Sequence, residues 1–416
     1  MSDPANFKAL VARAEKRMRS VFERTPLQRN DFLSAKYGAE IYLKREDLSP
    51  VRSYKIRGAF NAIVKALDEG RSGPFVCASA GNHAQGVAYA CAHFGVQAVI
   101  YMPVTTPKQK IHKTRSFGGE HAEVRLEGDY FDETLSAAQA YCLDAGAVFV
   151  PPFDSDNVIE GQATVAAEIL EQMPEDETID MLVLPVGGGG LAAGMTRYLA
   201  DTAIDFRFVE PAGGPSLRAS LDAGALVTLP RVDSFVDGAA VARIGERNFA
   251  ALAHLPADHV YIAPEDRICT TMIEMLNIEG VVLEPAGALA IDGLQDIPDI
   301  AGKTVVAVVS GGNFDFERLP DVKERALRYA GLKKYFILQM PQRPGALKDF
   351  LNILGPDDDI ARFEYLKKSA RNFGSVLIGI ETRDPDGFAR IEEEMASHGF
   401  AFEDITNNAT LANFIV

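Results

Sequence analysis

Four places in this 416-residue chain combine residue type and spacing in a way that could do chemistry. Lys55 stands in SYKIRGAF (53–60), where an amphipathic helix pattern begins with Arg57 and Gly58 just behind it. An amine there becomes a nucleophile if desolvation or a neighbouring cation such as Arg57 suppresses its charge. Gly187, Gly188, Gly189 and Gly190 follow an apolar run, MLVLPV, and precede a helical one. Four glycines cost conformational entropy on folding, and they offer unshielded backbone N–H groups at a helix N-terminus, a cradle for phosphate. The run lacks the lysine and hydroxyl of a nucleotide P-loop and the spacing of a dinucleotide site, so the phosphate belongs to something smaller.

A small phosphorylated cofactor whose chemistry needs a lysine is pyridoxal phosphate, which condenses with the ε-amine and exchanges it for the amine of an amino acid. The other two places fit that cofactor. Asn82, in SAGNHAQG, falls where a strand pattern gives way to a helix, and its carboxamide can donate to a ring hydroxyl. Ser79, Ala80 and Gly81 before it form a small-residue loop suited to holding a substrate carboxylate through backbone N–H groups. His83 joins that loop in a hydrogen-bonding rather than a general-base role, because no second histidine or carboxylate stands at a telling spacing. Ser310, in VVSGGN, can meet the pyridine nitrogen. A neutral serine there makes the ring a weaker electron sink than a carboxylate would, which favours expulsion of a β-substituent.

The elements that must position these groups read as α/β. Short β-branched runs alternate with helical patterns: FVCASA (75–80) before NHAQGVAYACAHFG, AVIYMP (98–103) before TPKQKIHKTRSFG, and AVFVPP (147–152) before DNVIEGQATVAAEILEQM. MLVLPVGGGG (181–190) leads into LAAGMTRYLAD, and FRFVEP (206–211) and KTVVAVVSGGN (303–313) complete the series. Such sheets place ligands beyond the carboxyl ends of their strands, where SAGNH, PVGGGG and SGGN all fall. After residue 320 the pattern changes to a charged connector and then strand, helix, strand and helix: KYFILQM, PGALKDFLNILG, GSVLIGIET and PDGFARIEEEMASHG. This reads as a separate ferredoxin-like α+β module of the βαβ type.

Composition limits the alternatives. With 47% hydrophobic and 24% charged residues the chain is ordinary for a soluble globular protein, and its net charge of −16 argues against nucleic acid as a partner. Four scattered cysteines without a C-x-x-C pair argue against a zinc site and a disulfide framework. No run is long and apolar enough to suggest a membrane span or a secretory signal, so a cytoplasmic protein without a resident metal is expected. The acidic residue of FRFVEPAGGPS, Glu210, leaves open whether a cation supports that loop.

Lys55, Asn82, the glycine run and Ser310, in this order, resemble the fold-type II pyridoxal phosphate enzymes (tryptophan synthase β-like), and among them the biosynthetic threonine dehydratases. RTPLQ, KREDLSPVRSYKIRGAF, SAGNHAQGVA, VIEGQAT, PVGGGGLAAG, VDGAAVARIG, LEPAGALA and SGGN all look like family segments. The resemblance implies two open twisted α/β subdomains within residues 1–325, the smaller (about 50–155) inserted in the larger, and an ACT-like regulatory domain at 326–416. It implies Lys55 as the Schiff-base lysine and α-proton base, Asn82 at the ring hydroxyl, and Ser310 at the pyridine nitrogen. The backbone of Gly187 to Gly190 and Leu191 then binds phosphate, and Tyr54 lies against the cofactor ring. Two departures are mild: Gly311 where alanine is common, and the hydroxyl of Tyr54.

The implied activity is deamination of L-threonine, and more weakly of L-serine, to the 2-oxo acid and ammonia, the committed step toward isoleucine. Isoleucine or valine would act as effectors at the C-terminal domain, in a homodimer or homotetramer. A catabolic dehydratase, a serine racemase and a non-catalytic amino-acid sensor are the alternatives; the C-terminal module argues against a racemase, and the complete ligand set argues against a sensor.

Overall fold

The computed structural model describes residues 4–366 and 372–408. Residues 1–3, 367–371 and 409–416, which fall inside the two expected domains, lie outside the described residues. The chain divides into two compact units, Met1–Asp315 and Phe316–Val416.

The first unit holds two sheets. In the larger, six strands run in the order Leu27–Arg29, Glu40–Arg45, Thr304–Val309, Met181–Pro185, Asp205–Pro211 and Val260–Ala263, all neighbours parallel except the first pair. In the smaller, four parallel strands run in the order Ala122–Leu126, Ala98–Met102, Phe75–Ala78 and Val148–Phe149. Phe75–Ala78, Ala98–Met102 and Met181–Pro185 are buried at every position, the signature of parallel strands covered by helices on both faces. The chain leaves the larger sheet after Glu40–Arg45, builds the smaller one, and re-enters at Met181–Pro185.

Several strands escape the sequence pattern. Glu40–Arg45 is buried over Ile41 to Lys44, but a charged lysine in a buried strand breaks the apolar run. Leu27–Arg29, Ala122–Leu126 and Val260–Ala263 are short or half-exposed. The AVFVPP strand reduces to Val148–Phe149, since Pro151 and Pro152 lack the N–H a ladder needs.

The second unit is a four-stranded antiparallel sheet ordered Asp358–Leu366, Phe373–Thr382, Lys333–Pro341 and Ala401–Asp404, with helices Ala346–Leu351 and Gly387–Ser397. Phe336, Leu338, Phe350, Ile378, Phe388 and Ile391 form its core. The chain order is strand, helix, strand, strand, helix, strand, a ferredoxin-like arrangement. The sequence reading lacks the two edge strands, Asp358–Leu366 and Ala401–Asp404, and its βαβ series contains no parallel pair. Edge strands carry weak alternation because one side of their ladder faces solvent.

Candidate active site

The site is assembled where strands end. Phe75–Ala78 gives way to Ser79–Gly81 and then to the helix Asn82–Phe94; Met181–Pro185 leads through Val186 and the glycines to the helix Gly190–Tyr198; Thr304–Val309 leads directly to Ser310. The helix Lys55–Asp68 begins against the last of these loops. Tyr54 N–H donates to Ser310 O at 3.1 Å, Gly312 N–H donates to Arg52 O at 2.9 Å, and Ser53 bridges Gly311. Ser53 Oγ accepts from Lys55 N–H at 3.2 Å, capping the helix start. The backbone before Lys55 is thus tied to a loop about 255 residues away in the chain.

Lys55 opens onto a cavity of about 600 Å³ whose wall also includes Ser79, Ala80, Gly81, Asn82 and His83. Its Nζ donates to Pro152 O at 3.0 Å and lies 5.4 Å from the centre of the Tyr54 ring and 5.8 Å from that of Phe153. Burial lowers its pKa to about 8, against an opposing pull from Glu284. Desolvation therefore does the activating, and Arg57 is not the neighbouring cation anticipated from the sequence. The Arg57 guanidinium is fully buried and engaged with Glu46 and Glu168.

The glycine run fits a phosphate. Gly189 adopts φ +84°, a left-handed conformation, and a Cβ at Gly188 would overlap the Phe153 ring. Among the described residues, no N–H from Gly187 to Leu191 donates a hydrogen bond within the protein. Five free amides converge at a helix N-terminus, which suits an anion and ill suits an empty turn. Gly188 is part of the cavity wall, whereas Gly187, Gly189, Gly190, Leu191, Tyr54 and Ser310 do not line it. Ser310 is buried, and its Oγ donates to Ala286 O at 3.1 Å, which leaves its lone pairs as acceptors.

Asn82 is the centre of a hydrogen-bond chain. Its Nδ2 donates to Glu284 Oε1 at 2.6 Å, and its Oδ1 accepts from Asn313 Nδ2 at 2.7 Å. His83 is buried, and its Nε2 bonds Val150 O at 2.8 Å. Burial first, then Lys55, lowers its pKa to about 3, so it stays neutral with Nε2–H as donor, consistent with a hydrogen-bonding role. In the loop expected to hold a carboxylate, Ser79 N–H already serves Tyr101 O and Gly81 N–H serves Ser79 Oγ. Ala80 N–H and the first-turn amides of the Asn82 helix are the open donors.

Sequence reasoning missed Glu284, Asn313 and Phe153, each of which lines the cavity. Glu284 lies in LEPAG and Asn313 closes SGGN, segments noted as patterns without a role for these side chains. Burial, then Asp237, raises the Glu284 carboxyl to about 7, against Asn82, Lys110 and Lys113. The Glu210 carboxylate accepts from Leu217 N–H and Arg218 N–H, each at 2.8 Å, at the start of the helix Ser216–Ala223. Among the described residues no cluster of three or more His, Cys, Asp or Glu is placed to hold a metal.

Residues 19–311 match the family described as pyridoxal-phosphate dependent enzyme, and residues 324–415 match the C-terminal regulatory domain of threonine dehydratase. The chain is 44% identical over 407 residues to the L-threonine dehydratase biosynthetic IlvA of Halalkalibacterium halodurans, covering 97% of each. It is 46% identical over 385 residues to the protein of that name from Staphylococcus aureus, covering 91% of each. Among solved structures, the processed form of threonine deaminase isoform 2 from Solanum lycopersicum superposes with a TM-score of 0.72 at 36% identity, over 78% of this chain and 94% of that one.

Proposed function

The chain belongs to the pyridoxal-phosphate-dependent enzymes and, within them, to the biosynthetic threonine dehydratases, and from that premise we propose that it deaminates L-threonine to 2-oxobutanoate and ammonia at Lys55. L-serine is the poorer substrate. The observation that carries this reading is the Lys55 amine, enclosed without a carboxylate partner and opening on the cavity shared with Asn82 and Gly188. Pyridoxal phosphate bound there supplies an aldehyde that condenses with amines and a ring that accepts the electron pair released at the substrate α-carbon.

The chain's own residues do the rest. With a pKa of about 8, roughly a tenth of Lys55 is neutral at pH 7, against well under a thousandth of an ordinary lysine. That neutral amine holds the cofactor and, once released by the substrate's amine, takes the α-proton. The free amides of Gly187 to Leu191 would anchor the phosphate, Ser310 would serve the pyridine nitrogen, and Tyr54 flanks the amine. Ala80 N–H and the start of the Asn82 helix orient the substrate carboxylate.

The match over residues 324–415 supports allosteric control through the C-terminal domain, with branched-chain amino acids as effectors and a dimer or tetramer as the assembly. Among the described residues no helix is long and apolar enough to cross a membrane, in keeping with an enzyme of the cytoplasm. Purified protein should release 2-oxobutanoate from L-threonine and show a visible absorption band that Lys55→Ala abolishes; turnover that survives that substitution refutes the assignment of Lys55.

A further inference from the structure

We propose that Glu284 is the positioning and charge-setting residue of this site: held against the SGGN loop beside Gly311, its carboxylate fixes the Asn82 carboxamide and sets the charge that faces Lys55 across the cavity wall. The proposal rests on the reading that Lys55 holds pyridoxal phosphate.

Glu284 immediately precedes the helix Pro285–Asp292, is 7% exposed, and lines the cavity. Its Oε1 occupies the position that a Cβ on residue 311 would need, and its backbone N–H donates to Gly311 O at 3.4 Å. A methyl group at position 311 would therefore push the carboxylate from the place it holds here.

Asn82 is gripped from both ends, because Asn313 Nδ2, which also donates to Val51 O at 2.8 Å, serves its oxygen while Glu284 takes one Nδ2 hydrogen. Turning the amide over would set its oxygen against a carboxylate and its nitrogen against a donor. The second Nδ2 hydrogen has no acceptor among the described residues, and the planar amide leaves it a single direction. Donation by Asn313 to the amide oxygen polarises the Asn82 carboxamide and strengthens donation by its remaining hydrogen, which suits the ring hydroxyl that Asn82 is assigned to meet.

Among the described residues Glu284 itself has no direct ion pair. Oε2 accepts no hydrogen bond among the described residues. Of the cations on the facing helix Lys108–Gly118, Lys110 is paired with Asp237 and Lys113 reaches Asn313 Oδ1 at 3.5 Å. Glu284 is the main electrostatic influence on Lys55 and also acts on Tyr54, whereas on Glu284 itself Asp237, Lys110 and Lys113 outweigh Lys55. Burial and Asp237 raise the pKa of this carboxyl to about 7.

The test is a pH titration of the visible absorption of the full-length holoenzyme, together with the cofactor dissociation constant, for wild type and three variants. Wild type should show a spectral midpoint near neutral pH. Glu284→Gln keeps an acceptor for Asn82 in the same volume, so it should bind the cofactor within about threefold of wild type yet lose that midpoint. Glu284→Ala should lose the midpoint and weaken cofactor binding by about tenfold. Gly311→Ala, which displaces the carboxylate, should reproduce the affinity loss while retaining a titrating group. A Glu284→Gln protein that titrates like wild type, or a Glu284→Ala protein with unchanged affinity, overturns the proposal. Wild-type protein with no visible band would instead overturn the cofactor reading beneath it.

Discussion

Lys55 and Arg57 stand two residues apart at the start of one helix, the first half-buried on a cavity wall and the second fully buried, and they end in opposite electrostatic states. Two residues turn a helix by about 200°, so the two side chains leave on opposite faces. Arg57 enters a fully paired cluster: Nε donates to Glu46 Oε2 at 2.7 Å, Nη1 to Glu168 Oε1 at 2.7 Å, and Nη2 to Glu46 Oε1 and Glu168 Oε2, both at 2.8 Å. Lys44 reaches Glu168 Oε2 and Thr25 O from the buried strand. Burial acts against the Arg57 charge, but Glu46 and Glu168 outweigh it and hold the guanidinium firmly protonated. Burial likewise pushes the Glu168 carboxyl up, and Arg57 with Lys44 pulls it below the usual range. Lys55, half-buried on the cavity wall, meets a carbonyl and two aromatic rings, and its charge is suppressed. Burial sets the cost, and pairing decides whether the charge persists.

This contrast can be broken or sharpened by substitution. The largest effect belongs to Lys55→Ala, which should cut turnover of L-threonine by about a thousandfold or more while leaving the thermal midpoint unchanged or higher, since an unpaired buried amine is removed. Comparable loss of stability would mean that Lys55 is structural after all.

Next comes Arg57→Met, which leaves the buried Glu46 carboxylate without its cation and weakens the pairing of Glu168, and should cost about 3–5 kcal/mol in denaturant unfolding. If this variant instead unfolded like wild type, the cluster would not be the scaffold of the Lys55 helix.

A third experiment reads the Lys55 pKa directly. The rate of cofactor capture by apoprotein should rise with pH and level off above about 8, because only the neutral amine attacks. A rate still climbing at the pH where ordinary lysines titrate would sink the desolvation account.

The smallest effect tests a carboxyl that has amide partners but no cation. Burial raises Glu210 to about 8, against hydrogen bonds from the amides of Arg218, Leu217 and Ser216. Its folded pKa lies above its unfolded value, so its contribution is complete below the ordinary glutamate range and is lost as pH rises through about 8. Wild-type stability relative to Glu210→Gln should therefore fall with pH across that window, by at most about 1.4 kcal/mol per pH unit. A stability difference independent of pH would show that Glu210 stays ionised.

Much of this protein was legible in order along the chain. SYKIRGAF, SAGNHAQG, GGGG and SGGN each carry their chemistry in adjacent residues, because a loop at a strand end is specified locally by small residues and a helix start. The buried strands of the catalytic unit announce themselves by β-branched runs. What stayed hidden depends on neighbours distant in sequence. Glu40–Arg45 conceals a strand because Lys44 is neutralised by Glu168, 124 residues later. Phe153 reads as an ordinary loop aromatic until Gly188 is packed beneath it.

The sequence by itself determined the inventory: an amine, an amide, a phosphate cradle and a hydroxyl, each on the connection that an α/β sheet presents to a ligand. Only the tertiary structure decided their charge states and orientations. Whether a buried group keeps its charge depends on which partners lie within a few ångströms, and the partners of Lys55, Arg57 and Asn82 come from segments that the chain brings together only when both sheets close.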